Sequence, residues 1–425
     1  HAVLNETLGS FDLRVFYDPL RTGFEDSKEL RVDRNTLLAG RYRVSHLVGK
    51  AAFSTTYAAL DNRDKQRVCL KVIANNKDFV DQSIDEIKLL RYLNESCECV
   101  DERRVVRMLD FFYAREHLFI VTELLGENLY ERGRRNRKEK RVFSARTIQQ
   151  IARDCALALE YVHSLGLVHC DVKPENLVLA RDLEQKRKFV VKLIDFGSSC
   201  FASDPPATYV QSRSYRAPEV VLGAPYCAKI DLWSLGCVLA EVRSGTVLFQ
   251  NESVATLLAR VVAVRGPVPP RLLAQSAFKD DFFLRATGQL YDKVDAKVDD
   301  DRDSSSSRGT GTVATSTLGG GGGDDGESVF AKKTVGHHPN HENLNNEDDD
   351  VLDDYSSLAE EEQKNNHGEE AFVLVLPKPT TLAHRLHLPP DSPFVDFLQG
   401  LLTIDPLHRP TARAALHHAY LSAVS

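Results

Sequence analysis

Long apolar runs are missing from this chain: no stretch approaches the roughly 18 residues that a membrane-spanning helix needs. Methionine and tryptophan occur once each, as Met108 and Trp233. No secretory leader opens the chain. It starts at His1 with no methionine before Met108, so it reads as a piece trimmed from a longer protein, with room for a targeting signal outside it. Eight cysteines are present (Cys69, Cys97, Cys99, Cys155, Cys170, Cys200, Cys227 and Cys237), but no C-x-x-C pair. Most sit in apolar stretches. That favours reduced thiols in an intracellular protein, cytoplasmic or nuclear, over a disulfide framework or a zinc site. The sequons at Asn5, Asn94 and Asn251 then read as chance.

The net charge of −7 is unevenly spread. Residues 295–370 hold 20 acids against 6 Lys or Arg, a net of −14, which leaves +7 for the rest of the chain. A mildly basic body suits anionic partners such as nucleotide phosphates without identifying them. The acidic tract also holds Ser304–Ser307, a glycine run at Gly319–Gly323, and acid clusters at Asp348–Asp350 and Glu360–Glu362. It has too little apolar surface to offset its ordering entropy and reads as a disordered insert over 294–370.

Around the insert, hydrophobic spacing marks out a small sheet with one helix, then a mainly helical part. Strand patterns cover Arg41–Val48, Thr56–Leu60, Arg67–Ile73, Val105–Tyr113 and Leu118–Glu123. Asp78–Leu93 has helical spacing through Ile84, Ile87, Leu90 and Leu93. A helix starts at Ser144 and stops at Gly166. Short strands follow at Asn176–Leu179 and Phe189–Ile194, then helices at Ile230–Val242, Phe394–Leu402 and Thr411–His418. The expected division is 1–39 as an N-terminal extension, 40–125 as a small lobe and hinge, 126–293 as a large lobe, the insert, and 371–425 as the end of the large lobe.

The chemistry concentrates in His169-Cys170-Asp171-Val172-Lys173-Pro174-Glu175-Asn176 and Ile194-Asp195-Phe196-Gly197. Phosphoryl transfer needs these groups. A carboxylate accepts and orients the attacking hydroxyl, a second carboxylate and an amide oxygen hold Mg²⁺, and a lysine meets the γ-phosphate charge. Asp171, Asn176, Asp195 and Lys173 supply that set. The two motifs resemble the catalytic loop and D-F-G motif of protein kinases. Val68-Cys69-Leu70-Lys71 resembles the strand whose lysine holds the α- and β-phosphates, with Glu86 as its partner. A lone Lys and Glu are ordinarily solvated surface charges, but Lys71 interrupts an apolar strand, where an unpaired charge is costly. Ala217-Pro218-Glu219 resembles the A-P-E motif, Arg409 stands where kinases place its ion-pair partner, and Asp231 resembles the helix aspartate that braces the catalytic loop. The blander alternative for Asp231, a plain acid at a helix N-terminus, carries less weight beside these companions.

Lys173 matches serine/threonine kinases. Tyr209-Val210-Gln211-Ser212-Arg213-Ser214-Tyr215-Arg216, the His-Cys-Asp triplet and Ser198-Ser199-Cys200 resemble the dual-specificity tyrosine-regulated (DYRK) kinases. Arg21–Glu25 and Asn75–Phe79 look most like the plant and algal branch. The resemblance covers about 21–292 and 372–421. It implies an α+β, two-lobed kinase fold using ATP and Mg²⁺. It implies serine/threonine phosphorylation of proteins by a monomer, without nucleic-acid or membrane binding. It also implies autophosphorylation of Tyr209, with Arg213 and Arg216 holding the phosphate. Family substrates often carry proline after the target residue and sometimes an upstream arginine. By the same alignment Thr122, Glu123 and Leu125 form the gatekeeper and hinge beside adenine.

One motif departs from the pattern. The phosphate loop reads Val48-Gly49-Lys50-Ala51-Ala52-Phe53-Ser54-Thr55-Thr56, with only the first kinase glycine kept. Alanine and serine offer backbone N–H groups with less conformational freedom, so slower ATP use is expected. The rival reading is a pseudokinase scaffold; the presence of Lys71, Glu86, Asp171, Asn176 and Asp195 together argues against it. The basic run Arg132–Arg141 reads as a solvated loop face in preference to a docking or nuclear-import patch. The acidic insert could fold back onto it. His337, His338 and His341 make a poor metal set.

Overall fold

A computed structural model describes residues 9–20, 29–180, 189–204, 207, 210–293 and 372–422. The expected insert at 294–370, with its histidines, lies outside the described residues. Two compact units are resolved, and nearly all described residues belong to the first, which spans 1–292, 358–360 and 374–425.

The first part is a twisted sheet with one helix. Its strands are β1 (Val15–Phe16), β2 (Leu37–Leu38), β3 (Tyr42–Lys50), β4 (Ser54–Asp61), β5 (Arg67–Ile73), β6 (Met108–Ala114) and β7 (His117–Glu123), in the order β1-β6-β7-β5-β4-β3-β2. Side chains alternate across the sheet. Val68, Leu70 and Val72 of β5 enter an outer cluster with Tyr42, Phe112, Phe119 and Leu30. Cys69, Lys71 and Ile73 therefore face the opposite side, where α1 (Lys77–Glu95) packs Ile87, Leu90 and Leu93. Asn76 caps α1 by accepting from the Asp78 N–H. β1 and β2 are hydrogen-bonded into the same sheet, so the boundary expected at residue 40 runs through one structural layer.

The second part is helical. It contains α2 (Leu129–Lys138), α3 (Ala145–Ser164), α4 (Pro218–Val221), α5 (Lys229–Ser244) and α6 (Val254–Arg265). Two small ribbons, β8 (Leu167–Val168) with β11 (Cys200–Phe201) and β9 (Leu177–Leu179) with β10 (Val191–Leu193), sit at its top. α5 is buried nearly all round. At Gly236 an added Cβ would lie 2.8 Å from Leu402 and 3.1 Å from Leu401, so only glycine allows the helix Pro393–Leu401 to approach this closely. Two expectations shift. The strand expected from Val105 starts at Met108, because Val105 and Val106 instead hook onto Leu193 of β10. The basic run Arg132–Arg141 is mostly helical rather than a loop; Arg132 and Arg135 both pair with Glu127.

Glu219 and Arg409 meet at 2.6 and 2.9 Å with neither side chain exposed. Arg409 also donates to the carbonyls of Thr403, Lys229 and Ile404. This joins α4, the start of α5 and the C-terminal segment. Arg409→Met keeps the bulk but leaves a buried carboxylate unpaired. It should cost about 3–5 kcal/mol, read as a lower urea midpoint.

Candidate functional site

Three segments bring the first charged group together. Lys71 on β5 donates to both Glu86 oxygens at 3.0 and 2.9 Å and to Asp195 Oδ1 at 3.0 Å. Glu86 lies on the buried face of α1, and Asp195 follows β10. Burial alone would pull the lysine's pKa down, but Asp195 and Glu86 outweigh it and hold the ammonium above its ordinary value. Asp195 is lowered, since Lys71 overcomes its burial.

The catalytic loop forms a second group. Asp171 accepts from Lys173 Nζ at 2.8 Å and from Ser212 Oγ at 2.8 Å. Asn176 donates its amide to the Asp171 carbonyl (2.9 Å) and carboxylate (3.1 Å), which leaves its amide oxygen as a ligand atom. Asp231, fully buried at the start of α5, accepts from the N–H groups of His169 and Cys170 at 2.8 and 3.0 Å. Cys170 and Asp195 both take the left-handed backbone, φ 64°. The thiols of Cys170 and Cys200 face each other at 3.7 Å. A carboxylate at Asp195 and an amide oxygen at Asn176 are the hard oxygen donors that Mg²⁺ takes, so these residues fit that ion.

The phosphate loop is a β3–β4 hairpin tip closed by Ala51 N–H donating to the Ser54 carbonyl at 2.8 Å. No residue from Val48 to Thr56 has positive φ, and nothing lies within 4 Å of a Cβ built on Gly49. Alanine at positions 51 and 52 therefore carries no backbone strain in this hairpin. Phe53 reaches over the tip, its ring 5.9 Å from Lys71 Nζ. Thr56 pairs with Lys71 across the ladder and Thr122 with Cys69, so Thr122 and Thr56 share the cleft face. Ser54 is buried and Val48 is exposed; Leu125 is buried just past β7.

Several expected contacts have their side chains committed elsewhere. Lys50 pairs with Glu29 of the extension at 2.7 Å. Glu123 turns to the Arg107 N–H (2.8 Å) and Lys192 Nζ (2.6 Å), leaving its backbone carbonyl for a ligand. Arg216 donates to the carbonyls of Val210 and Gln211 at 2.9 and 2.8 Å. Arg213 is exposed, and Tyr209 lies outside the described residues.

The sequence reading passed over Ser212, Lys192 and a carboxylate pair near the catalytic loop. Glu175 Oε2 is buried with no hydrogen-bond partner. Glu241 on α5 accepts from the Tyr215 hydroxyl at 2.7 Å, and its pKa is pushed up to about 7 by burial, with Glu175 adding to the rise. Glu175 stood inside a recognised motif; Glu241 gave no signal beyond being an acid in an apolar helix.

A family model described as a protein kinase domain matches residues 42–274. The chain is 40% identical over 251 residues to dual specificity tyrosine-phosphorylation-regulated kinase 4 of Homo sapiens, covering 59% of this chain and 47% of that protein. It is 36% identical over 260 residues to dual specificity tyrosine-phosphorylation-regulated kinase 2 of Drosophila melanogaster (61% and 35%). It is 39% identical over 251 residues to dual specificity tyrosine-phosphorylation-regulated kinase mbk-2 of Caenorhabditis elegans (59% and 30%). These matches span about a third to a half of the relatives' length.

Glu241 carries a pH prediction. Its folded pKa of about 7 stands above the ordinary 4.5, so its contribution is full below about 4.5 and is lost as pH rises through 7. The loss is on the order of 3 kcal/mol. Glu241→Gln, which keeps an acceptor for Tyr215, should melt increasingly higher than wild type as pH is raised from about 5 to 8.

Proposed function

Because the chain belongs to the protein kinase family, among its dual-specificity tyrosine-phosphorylation-regulated members, we propose that it transfers the γ-phosphoryl group of ATP to serine or threonine hydroxyls of other proteins. The observation that carries this is the assembly of Lys71, Glu86 and Asp195 beside Asp171, Lys173 and Asn176 from four separate chain segments.

Glu86 holds Lys71 extended toward the place of the α- and β-phosphates. Asn176 and Asp195 would hold Mg²⁺, which when bound offsets charge on the phosphate oxygens. Asp171 accepts the substrate hydroxyl hydrogen and points its oxygen at phosphorus; it already accepts one hydroxyl, that of Ser212, at 2.8 Å. Lys173, kept cationic by Asp171 against its burial, meets the charge on the transferring group. The new bond forms from the hydroxyl oxygen to phosphorus, the bond to the ADP oxygen breaks, and Asp171 takes the proton.

Substrate preference has support in the activation segment. Gln211 is left-handed, φ 66°, and its carbonyl is taken by Arg216. No acceptor is then offered to the N–H of the residue after the target, which favours proline, the residue without that N–H. An arginine upstream of the target would meet the carboxylates of Glu175 and Glu241. Autophosphorylation of Tyr209, with the exposed Arg213 as a holder of its phosphate, belongs to the same reading.

The test is transfer from Mg-ATP to an Arg-x-x-Ser-Pro peptide. Asp171→Asn should lower kcat at least about a hundredfold. Changing the peptide's Ser-Pro to Ser-Ala should lower kcat/KM about tenfold. Absence of transfer by folded wild type with Tyr209 phosphorylated would favour a scaffold without catalysis. Full activity with Tyr209 unmodified by mass spectrometry would remove the tyrosine step.

A further inference from the structure

Behind the hinge lies an ion cluster outside the groups described above. Lys192, at the centre of β10, has only 4% of its side chain exposed. Its ammonium donates to Glu123 Oε1 at 2.6 Å and to Asp101 Oδ1 at 2.5 Å. Glu123 ends β7, and Asp101 sits in the turn Val100–Arg103. Glu123 Oε1 also accepts from the Arg107 N–H at 2.8 Å, and the Glu123 N–H donates to the Arg107 carbonyl at 3.0 Å. The hinge residue is thus gripped from behind at both its side chain and its backbone.

Lys192 belongs to the ribbon that also sets the phosphate end of the site. In β9–β10, Lys192 pairs with Val178 and Leu193 with Leu177. Asn176 immediately precedes β9, Asp195 lies two residues after β10, and the Ile194 N–H donates to the Asn176 carbonyl at 2.9 Å. The far side of the hinge is tied to the same ribbon: the Gly126 N–H donates to Leu179 O at 2.7 Å, and the Leu179 N–H to Glu127 O at 3.0 Å. One ribbon therefore positions the ends of the cleft for both adenine and metal, and Lys192 is its side-chain link to the hinge.

We propose that Lys192 is a positioning residue for the nucleotide, acting through Glu123 to hold the hinge backbone in register with Asn176 and Asp195. It touches neither ATP nor the reacting atoms. This rests on the kinase reading of the cleft. Of its two partners, Glu123 is nearly buried, whereas Asp101 is half-exposed and lines a cavity of about 340 Å³ open to water. The Glu123 contact is therefore the one that positions the hinge, and Asp101 is largely replaceable by solvent.

The experiment measures ATP affinity by titration calorimetry, alongside KM and kcat, on the full chain. Lys192→Met should weaken ATP binding about tenfold, the loss of one buried charge-assisted hydrogen bond, with kcat at saturating ATP within about threefold. Lys192→Arg should restore affinity to within about twofold, and Asp101→Asn should stay within about twofold throughout. If Lys192→Met does not melt cooperatively, the double variant Lys192→Met/Glu123→Gln removes the stranded carboxylate and should show the same loss. Wild-type ATP affinity in a folded Lys192 variant overturns the proposal. So does a fall in kcat at unchanged affinity, or failure of arginine to rescue. ATP binding without transfer by the wild type would count against the kinase reading and leave the affinity comparison intact.

Discussion

The catalytic loop depends on a carboxylate that has almost no freedom, that of Asp231. It is fully buried near the N-terminus of α5, where a charge survives only if every lone pair is answered. The answers come from the N–H groups of His169 and Cys170 and from the ring of His163, 2.9 Å away. Two of these donors are the backbone of the loop that carries Asp171. The loop is therefore held by the core helix rather than by its own neighbours. α5 in turn is anchored by Arg409, which bonds the Lys229 carbonyl and the Glu219 carboxylate and stacks 5.2 Å over Trp233. Trp233 stacks on Phe249, which extends the anchorage into the apolar core.

The sheet side of the cleft is fixed by a different kind of constraint. Lys71 interrupts an apolar strand and must be paired, and the two carboxylates that pair it arrive from α1 and from the end of β10. That requirement couples the placement of α1 to the backbone at Asp195. Gln82 reinforces it by donating to the Gly197 carbonyl at 2.9 Å. Phe196 is fully buried with its ring edge-on to His169 at 5.0 Å, so Asp195, Phe196 and Gly197 together link α1 to the catalytic loop.

Much of this was legible in the residues. Lys71 stood out because a charge in an apolar strand needs a partner, and helical spacing placed Glu86 on a facing helix. The α3 cap was readable as Ser144 and its stop as Gly166, which takes φ 75°. What stayed hidden lies in contacts with long sequence separation and no local signature. Lys192 looks like an ordinary polar interruption of a short strand until Glu123, 69 residues away, closes on it. The hydrogen bonds of Arg216 to the Val210 and Gln211 carbonyls stayed hidden too, because no side-chain pattern reveals a backbone partner. The altered phosphate loop was read as damage because glycine implies unusual backbone angles, whereas the hairpin here uses none.

The left-handed residues show why the catalytic loop and the segment at Gln211 act as one unit. Cys170, Asp195 and Gln211 each adopt a backbone that costs a non-glycine residue on the order of 1 kcal/mol or more. Such strain persists only where surrounding bonds over-determine it. The Gln211 N–H donates to the Cys170 carbonyl at 2.9 Å, so two strained residues brace each other directly. Gln211 is further fixed by its own side chain, which bonds Ser234, the Ile230 carbonyl and the Ala217 N–H, and by Arg216 on its carbonyl. Ser234 and Ile230 lie on α5, the helix that holds Cys170 through Asp231. The activation segment at Gln211 and the loop that carries Asp171 are therefore referenced to one helix. A shift in either would have to break bonds to α5, which makes the spacing between Gln211 and Asp171 a property of the core rather than of the surface loops.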